Sequence, residues 1–180
     1  MKRILFFAVA ALLAGNAAAF ELTSPDPEVK NGRPMVKAQE YKGFGCNGDN
    51  LSPALEWKNP PAGTRSYAVT VFDPDAPTGS GFWHWVVYNI PATATGLPAG
   101  AVVVEPLPAG AKQGRNDFGE RNFSGACPPV GDRPHHYIFT VHALKVDKIT
   151  VPDDASAALV GFNIIGNRLG LAKMTTTYSR

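Results

Sequence analysis

The sequence lacks a strong charge of either sign. Its 180 residues include 17 basic and 15 acidic side chains, for a formal net charge of +2. Nucleic-acid-binding proteins concentrate positive charge, so this balance predicts no nucleic-acid partner. With 44% hydrophobic residues the chain is not expected to be disordered, and its length suits one domain with a core of its own.

A hydrophobic run long enough to cross a membrane is also missing. The longest run covers residues 4–14, which is too short for a bilayer core of roughly 30 Å. It follows Lys2 and Arg3 and precedes the alanines at 17–19, and this is the pattern of a cleaved export signal. The alternative, a buried N-terminal helix, would need polar residues on one face, and the run has none. We therefore predict a signal peptide over residues 1–19 and a periplasmic or secreted protein without a stable membrane anchor.

Cysteine is scarce, because Cys46 and Cys127 are the only two in the chain. An even pair in an oxidising compartment predicts a disulfide. The loop that it would close holds about 80 residues, and closing such a loop stabilises a fold by roughly 4 kcal/mol in the chain-entropy description. Two reactive thiols are the alternative, whereas a zinc site would need more sulfurs in paired spacing.

Complete catalytic motifs are absent. Ser124 lies in Phe-Ser-Gly rather than in the Gly-x-Ser-x-Gly elbow of serine hydrolases. The Asp-Phe-Gly at 117–119 has no kinase glycine-rich loop or strand lysine to accompany it. We therefore expect a non-catalytic protein without a cofactor. The alternative is a hydrolase or metal enzyme in which Asp73 and two histidines hold zinc and leave a position open.

Glycine and proline, in contrast, are abundant, with 18 and 16 residues, and they favour a turn-rich β fold over a helical bundle. Runs of β-branched and aromatic residues predict strands at 20–23, 66–72, 82–90, 101–105 and 137–144. The 66–72 run is nearly all apolar, which predicts a central strand buried on both faces. We predict a mainly β fold, a single β-sandwich domain over residues 20–180 with one or two short C-terminal helices.

The helical pattern lies near the C-terminus. Residues 152–154, Pro-Asp-Asp, supply a start signal with an aspartate as the N-cap. Four large apolar residues then recur at spacings of three and four, and these are Leu159, Phe162, Ile165 and Leu169. That spacing predicts an amphipathic stripe that packs on a sheet. Glycines within the stretch allow it to form two short helices instead of one.

Four polar side chains are predicted to converge at one end of the sandwich. Strand alternation places His135 and Tyr137 on the more apolar face of their strand, and Asp73 ends the strand that precedes the strand of His84. Two imidazoles and a phenol can donate to an anion, while a carboxylate orients a histidine or accepts from the ligand. Each residue also has a plainer interpretation, since a strand histidine is usually structural and Asp73 can simply begin a turn.

Several motifs in this order resemble the phosphatidylethanolamine-binding protein (PEBP) family. They are Asp-Pro-Asp-Ala-Pro at 73–77, Trp-His-Trp-Val-Val-Tyr-Asn-Ile at 83–90, and Pro-His-His-Tyr at 134–137. Two further motifs, Gly-Cys-Asn-Gly-Asp-Asn-Leu-Ser-Pro at 45–53 and Gly-Arg-Asn-Asp-Phe-Gly at 114–119, resemble its bacterial, kinase-inhibitor-like YbhB/YbcL branch. The resemblance covers essentially all of the chain after residue 19 and implies the PEBP-like β-sandwich.

The resemblance also implies a pocket for a phosphate, another small anion or a phospholipid head group. Matched by motif, its ligand-binding residues are Asp73, His84, His135 and Tyr137. Asp75 and Phe123 are weaker candidates for the rim of the pocket. The family often has a cis peptide in the Asp-Pro-x-x-Pro loop, which makes Pro74 or Pro77 a candidate.

The chain departs from the family pattern at two positions. His136 stands where the family usually has arginine, and Phe123 stands where it has tyrosine. By strand alternation, His136 and His142 are predicted on the outer face of their strand. The resemblance to the family also implies an alternative function. The protein would then be a protease- or kinase-inhibitor-like interaction factor that acts outside the cytoplasm. Its partner would be a protease or a host protein, and a homodimer is compatible with the sequence.

Overall fold

The computed structural model describes residues 18–101 and 105–180. The predicted signal peptide over residues 1–19 therefore lies almost wholly outside the described residues, and so does the interior of the strand predicted at 101–105. The elements are β1 (Glu21–Thr23), a short 3-10 helix (Lys37–Gln39), β2 (Lys42–Gly43), β3 (Cys46–Asn47), β4 (Leu55–Lys58), β5 (Ser66–Asp73), β6 (Phe82–Pro91), β7 (Gly96–Leu97), β8 (Lys112–Gln113), β9 (His135–Leu144), α1 (Ala157–Asn167) and β10 (Arg168–Tyr178). Within these ranges no helix is long and apolar enough to cross a membrane.

A five-stranded antiparallel sheet in the order β10-β9-β5-β6-β8 forms the centre of the molecule. Its middle strand, β5, is buried at every residue except Phe72, so the predicted central strand is confirmed. The long strands begin or end within two residues of their predicted bounds. Their β-branched and aromatic residues suit a sheet that is covered on both faces.

The inner face of this sheet carries the larger part of the core. A three-stranded sheet in the order β1-β4-β7 packs against it and contributes Leu22, Leu55 and Trp57 to a cluster that also contains Val69 and Trp85. Two sheets with their apolar faces together make a sandwich, which confirms the predicted fold class. Cys46 and Cys127 form the predicted disulfide, with Cα atoms 5.9 Å apart.

Helix α1 covers part of the outer face, but not with the residues that the periodicity predicts. Leu159, Phe162 and Ile165 are 41%, 74% and 61% exposed, whereas Val160 and Ile164 are buried. The exposed residues recur at a spacing of three, and the buried Ala157, Val160 and Ile164 recur at spacings of three and four. The period alone therefore cannot choose between these faces, which are one residue apart. Two further points differ, because Leu169 belongs to β10 and Ser156, not an aspartate, caps the helix by accepting from the Leu159 amide.

His142 lies on the outer face of β9, as strand alternation predicts, but it is buried there. The prediction placed His136 and His142 together on the outer side of β9, and only His136, whose side chain is 49% exposed, reaches solvent there. His142 is 7% exposed, because α1 and the neighbouring strands enclose its end of the sheet. The ring nitrogen Nε2 of His142 is 3.1 Å from the hydroxyl of Thr70 on β5.

Candidate functional site

A cavity of about 430 Å³ opens at the end of the inner face where β5 ends and β6 and β9 begin. Its lining residues are Phe44, Asp73, Ala76, Pro77, Thr78, Phe82, His84, Asp117, Phe118, Cys127, Pro128, Pro129, His135 and Tyr137. All four residues predicted to converge are therefore in one place. Stiff proline-rich loops form much of the wall, since proline fixes the backbone angle φ.

Asp73 and His135 form a buried pair at the base of this cavity. Nδ1 of His135 is 2.7 Å from Oδ2 of Asp73, and both side chains are 3% exposed. The other carboxylate oxygen accepts from the backbone amides of Asp75 and Ala76, at 2.8 and 3.1 Å. The carboxylate thus organises the loop that follows β5 and holds the His135 ring in a single orientation. Three of the roughly four acceptor positions of the Asp73 carboxylate are thus occupied within the protein, so its role is mainly to position its neighbours.

Without a ligand His84 presents an acceptor to the cavity, whereas the sequence-based prediction makes it a donor to a bound anion. Its Nδ1 lies 2.7 Å from the carbonyl oxygen of Ser124 and 3.1 Å from that of Gly125. Carbonyl oxygens only accept, so Nδ1 carries the proton. Burial lowers the pKa of His84, and the hydrogen bond to Ser124 and the charge of Asp73 only partly oppose this effect. The ring is consequently neutral near pH 7, and its free Nε2 is an acceptor.

Tyr137 supplies an unused donor. Its side chain is almost fully buried, and its hydroxyl has no hydrogen-bond partner in the parts of the chain that the structure describes. Burial, and next the charge of Asp73, raise the pKa of Tyr137 well above its usual range. The backbone amide of Cys127 lowers this pKa by a smaller amount, although it does not lie in hydrogen-bonding geometry with the hydroxyl. The phenol therefore keeps its proton and can donate it to a ligand. A buried hydroxyl without a partner costs free energy, so it calls for an explanation.

Aromatic side chains that the sequence-based prediction did not include form the mouth of the cavity. The rings of Phe82 and Phe118 meet edge to face at 4.7 Å, and Phe118 stacks on Tyr41 at 4.3 Å. Phe44 lies beside them and is 81% exposed. Phe44 could have been found, because it lies two residues before Cys46 and the predicted disulfide brings that segment to Cys127 and the prolines that follow.

Of the two weaker candidates for the rim of the pocket, Asp75 lies near the rim and Phe123 does not. Asp75 does not line the cavity, but it organises the rim by accepting from the backbone and side chain of His136, at 2.9 and 2.7 Å, and by pairing with Arg133. Although burial raises it, the pKa of Asp75 is held below its usual value by these hydrogen bonds and charges. Phe123 is not at the rim, because its ring is buried edge to face against Trp85 at 5.6 Å.

Two further expectations concern the loop after β5 and a metal. No peptide bond in the described ranges is cis, so the cis peptide considered at Pro74 or Pro77 is not present. Among residues 18–101 and 105–180, no three His, Cys, Asp or Glu side chains are grouped so that they could hold a metal ion. The geometry therefore offers no support for the zinc alternative at Asp73 and the two histidines.

The chain is similar to known proteins over most of its length. A family model described as phosphatidylethanolamine-binding protein matches residues 25–179. YbcL of Escherichia coli (strain K12) is 52% identical over 182 residues, which cover 99% of this chain and 98% of YbcL. YbhB of the same strain is 46% identical over 153 residues, which cover 84% of this chain and 96% of YbhB.

The structural comparison gives the same result. The crystal structure of E. coli YbcL, described as a new member of the mammalian PEBP family, matches with a TM-score of 0.85 over 91% of this chain and 99% of that one. A third relative is LppC of Mycobacterium tuberculosis (strain ATCC 25618 / H37Rv), which is named as a lipoprotein. It is 34% identical over 161 residues, which cover 89% of this chain and 74% of LppC.

Proposed function

Because the chain belongs to the phosphatidylethanolamine-binding protein family, we propose that its pocket binds a phosphate group, either as a small anion or as the head group of a phospholipid, without catalysing a reaction. The observation that carries the proposal is the hydroxyl of Tyr137, which is buried at the cavity without a hydrogen-bond partner in the described structure. A ligand oxygen that accepts from it would remove the cost of leaving this donor unpaired.

The protonation of His84 narrows the chemistry of the ligand. A neutral ring whose Nδ1 donates to two carbonyls offers only an acceptor at Nε2. A phosphate group satisfies this acceptor in one of two ways: it brings its own proton as P–OH, or it favours protonation of the ring so that Nε2 becomes a donor. In both cases one proton lies between the ligand and His84.

The rest of the lining favours a head group that also carries a positive charge. Asp117, Phe44 and Phe118 line the same cavity, and an ammonium group is attracted both to a carboxylate and to aromatic rings. A head group with a phosphate and an ammonium therefore uses the donors near Tyr137 and the acceptors near Asp117 together. We expect phosphoethanolamine to bind more tightly than inorganic phosphate.

Replacing Tyr137 with phenylalanine tests the proposed function. Tyr137→Phe should weaken phosphoethanolamine binding by about tenfold or more, because one hydrogen bond to a charged group is lost. It should leave the free energy of unfolding unchanged or higher, since the buried unpaired hydroxyl is gone. Isothermal titration calorimetry and urea unfolding measure the two quantities. Tyr88→Phe, at a buried tyrosine outside the cavity, is the matched control and should bind like wild type. Equal affinity of all three proteins would contradict the proposal.

The pH dependence of binding tests the role of His84. In the free protein the pKa of His84 is lowered mainly by burial, whereas a bound anion stabilises the protonated ring and raises it. Binding therefore takes up a proton, and the affinity should increase as the pH is lowered from about 8 to about 6. Glycerophosphoethanolamine is the suitable probe because its phosphodiester does not change charge in this range. Calorimetry in buffers of different ionisation enthalpy should report proton uptake; proton release or a flat profile would rule out this role.

We further propose that the protein acts outside the cytoplasm, in the periplasm or after secretion. The leader-like pattern over residues 1–19 and the disulfide between Cys46 and Cys127 support this location, because disulfides persist in oxidising compartments. The similarity to LppC is consistent with it. N-terminal sequencing of the protein purified from its producing cell should begin at Phe20, and an intact Met1 would contradict export by cleavage.

A further inference from the structure

A second cavity lies on the outer face of the five-stranded sheet, opposite the first. It has a volume of about 280 Å³ and opens between α1 and the strands β9 and β10. Its walls are mostly apolar and include Phe72, Trp83, Ile138, Ile164 and Leu171. A cavity of this volume, filled at the packing density of a protein interior, holds a molecule of about ten non-hydrogen atoms.

Strand alternation explains why the two cavities are separate. On β9, Tyr137 faces the first cavity, while Ile138 and Thr140 face the second. On the neighbouring strand, Phe72 pairs with Ile138 and Thr70 pairs with Thr140, so their side chains share the outer face. Helix α1 covers only part of that face, and the second cavity lies in the space that it leaves open.

His142, which lines this cavity, has a buried ring nitrogen without a hydrogen-bond partner among the described residues. His142 is 7% exposed, and its Nε2 is held by the hydroxyl of Thr70 at 3.1 Å. Its other ring nitrogen, Nδ1, is buried without a hydrogen-bond partner within the described ranges. When the Thr70 hydroxyl donates to Nε2, the neutral ring carries its proton on Nδ1, which is then a free donor.

Two cations lie at the same cavity. Arg168 and Lys173, both on β10, belong to its lining, and neither forms an ion pair with a carboxylate of the residues that the structure describes. Burial and then these two charges lower the pKa of His142 to about 3, so the ring adds no positive charge near neutral pH. The lining thus combines apolar walls, a histidine with a buried unpaired ring nitrogen and two cations without an ion-pair partner in the described ranges, and it includes no carboxylate.

We propose that this cavity binds a small amphipathic monocarboxylate, with its carboxylate beside Arg168 and Lys173 accepting from Nδ1 of His142 and its apolar part against the walls. One charge and two oxygens match the one buried donor and the two cations. A phosphate dianion would bring more oxygens than there are buried donors, and an unpaired buried oxygen is costly. The mostly apolar lining selects a ligand with an alkyl or aryl body rather than a fully hydrated anion.

Octanoate, which has about ten non-hydrogen atoms and therefore fits the volume, is the probe for this proposal. The chain has only four histidines, so their ring signals in a two-dimensional NMR spectrum can be assigned individually. Titration of the disulfide-bonded protein should give saturable binding with a Kd of about 1 mM or tighter. It should shift the ring signals of His142 and leave those of His84 in place.

Matched variants and ligands make the test decisive. Lys173→Met keeps the length of an exposed side chain but removes its charge, and should weaken octanoate binding by about fivefold or more. Lys58→Met, at an exposed lysine on β4, should bind like wild type. Octanol, which has the same tail without the charge, should bind more weakly than octanoate. Absence of saturable binding, a shift at His84 instead of His142, or equal binding of octanol and octanoate would each overturn the proposal.

Discussion

Replacing Asp73 with alanine should lower the free energy of unfolding by about 3 kcal/mol. The substitution removes the acceptor of two backbone amides and of the buried His135 ring at once. Both side chains of the pair are 3% exposed, so water cannot replace the lost hydrogen bonds without opening the loop. Urea unfolding followed by fluorescence measures the change, and it should be accompanied by loss of phosphoethanolamine binding.

A surface pair provides the control for this substitution. Asp147 pairs with Arg65, but the two side chains are 62% and 58% exposed, and exposed ion pairs contribute little to stability. Asp147→Ala should therefore change the free energy of unfolding by no more than about 0.5 kcal/mol. If Asp73→Ala cost as little as Asp147→Ala, the buried pair of Asp73 and His135 would not organise the pocket.

Removal of the disulfide should have a similarly large effect. The double variant Cys46→Ala, Cys127→Ala should be less stable than the oxidised protein by about 4 kcal/mol, because the bond closes a loop with a sequence separation of 81 residues. It should also weaken ligand binding, since Cys127 lines the pocket and Cys46 fixes the segment that carries Phe44. Unfolding and calorimetry on the same samples measure both effects.

Chemical reduction separates the loss of the bond from the loss of the side chains. A reducing agent should destabilise the wild-type protein by nearly as much as the double substitution does, and should leave the double variant unchanged. A wild-type protein whose stability is the same with and without reductant would show that loop closure does not stabilise this fold.

The long central strands could be predicted because their local composition and their tertiary position agree. Residues 66–72, 82–90 and 137–144 are rich in β-branched and aromatic side chains, and β5, β6 and β9 lie in the middle of the sheet. The edge strand β10 was not predicted. Its sequence contains Gly170 and Lys173, and it is held mainly by long-range pairing with β9 from Arg168 to Tyr178, which no local pattern reveals.

Long-range contacts also limit what the sequence predicts about the helix and the site. Periodicity identified the helical segment but selected the exposed residues, because the buried set has a similar spacing and is distinguished only by its packing. Val160 and Ile164 pack with Val86 and Leu144 of the sheet, which no local pattern reveals. Alternation and motif placed Asp73, His84, His135 and Tyr137 together. The protonation of His84 could not be predicted, since it depends on carbonyls of Ser124 and Gly125, which are some 40 residues away in the chain.

The most direct test of the pocket is the protonation of His84 during ligand binding. The measurement is a two-dimensional NMR spectrum of the histidine ring nitrogens at neutral pH, recorded as glycerophosphoethanolamine is added, because its phosphodiester has no proton of its own to share with Nε2. We expect Nδ1 of His84 to stay protonated and Nε2 to move from the position of an unprotonated nitrogen towards that of a protonated one. A saturating titration that leaves both ring nitrogens of His84 unchanged would contradict a pocket in which His84 shares a proton with the ligand.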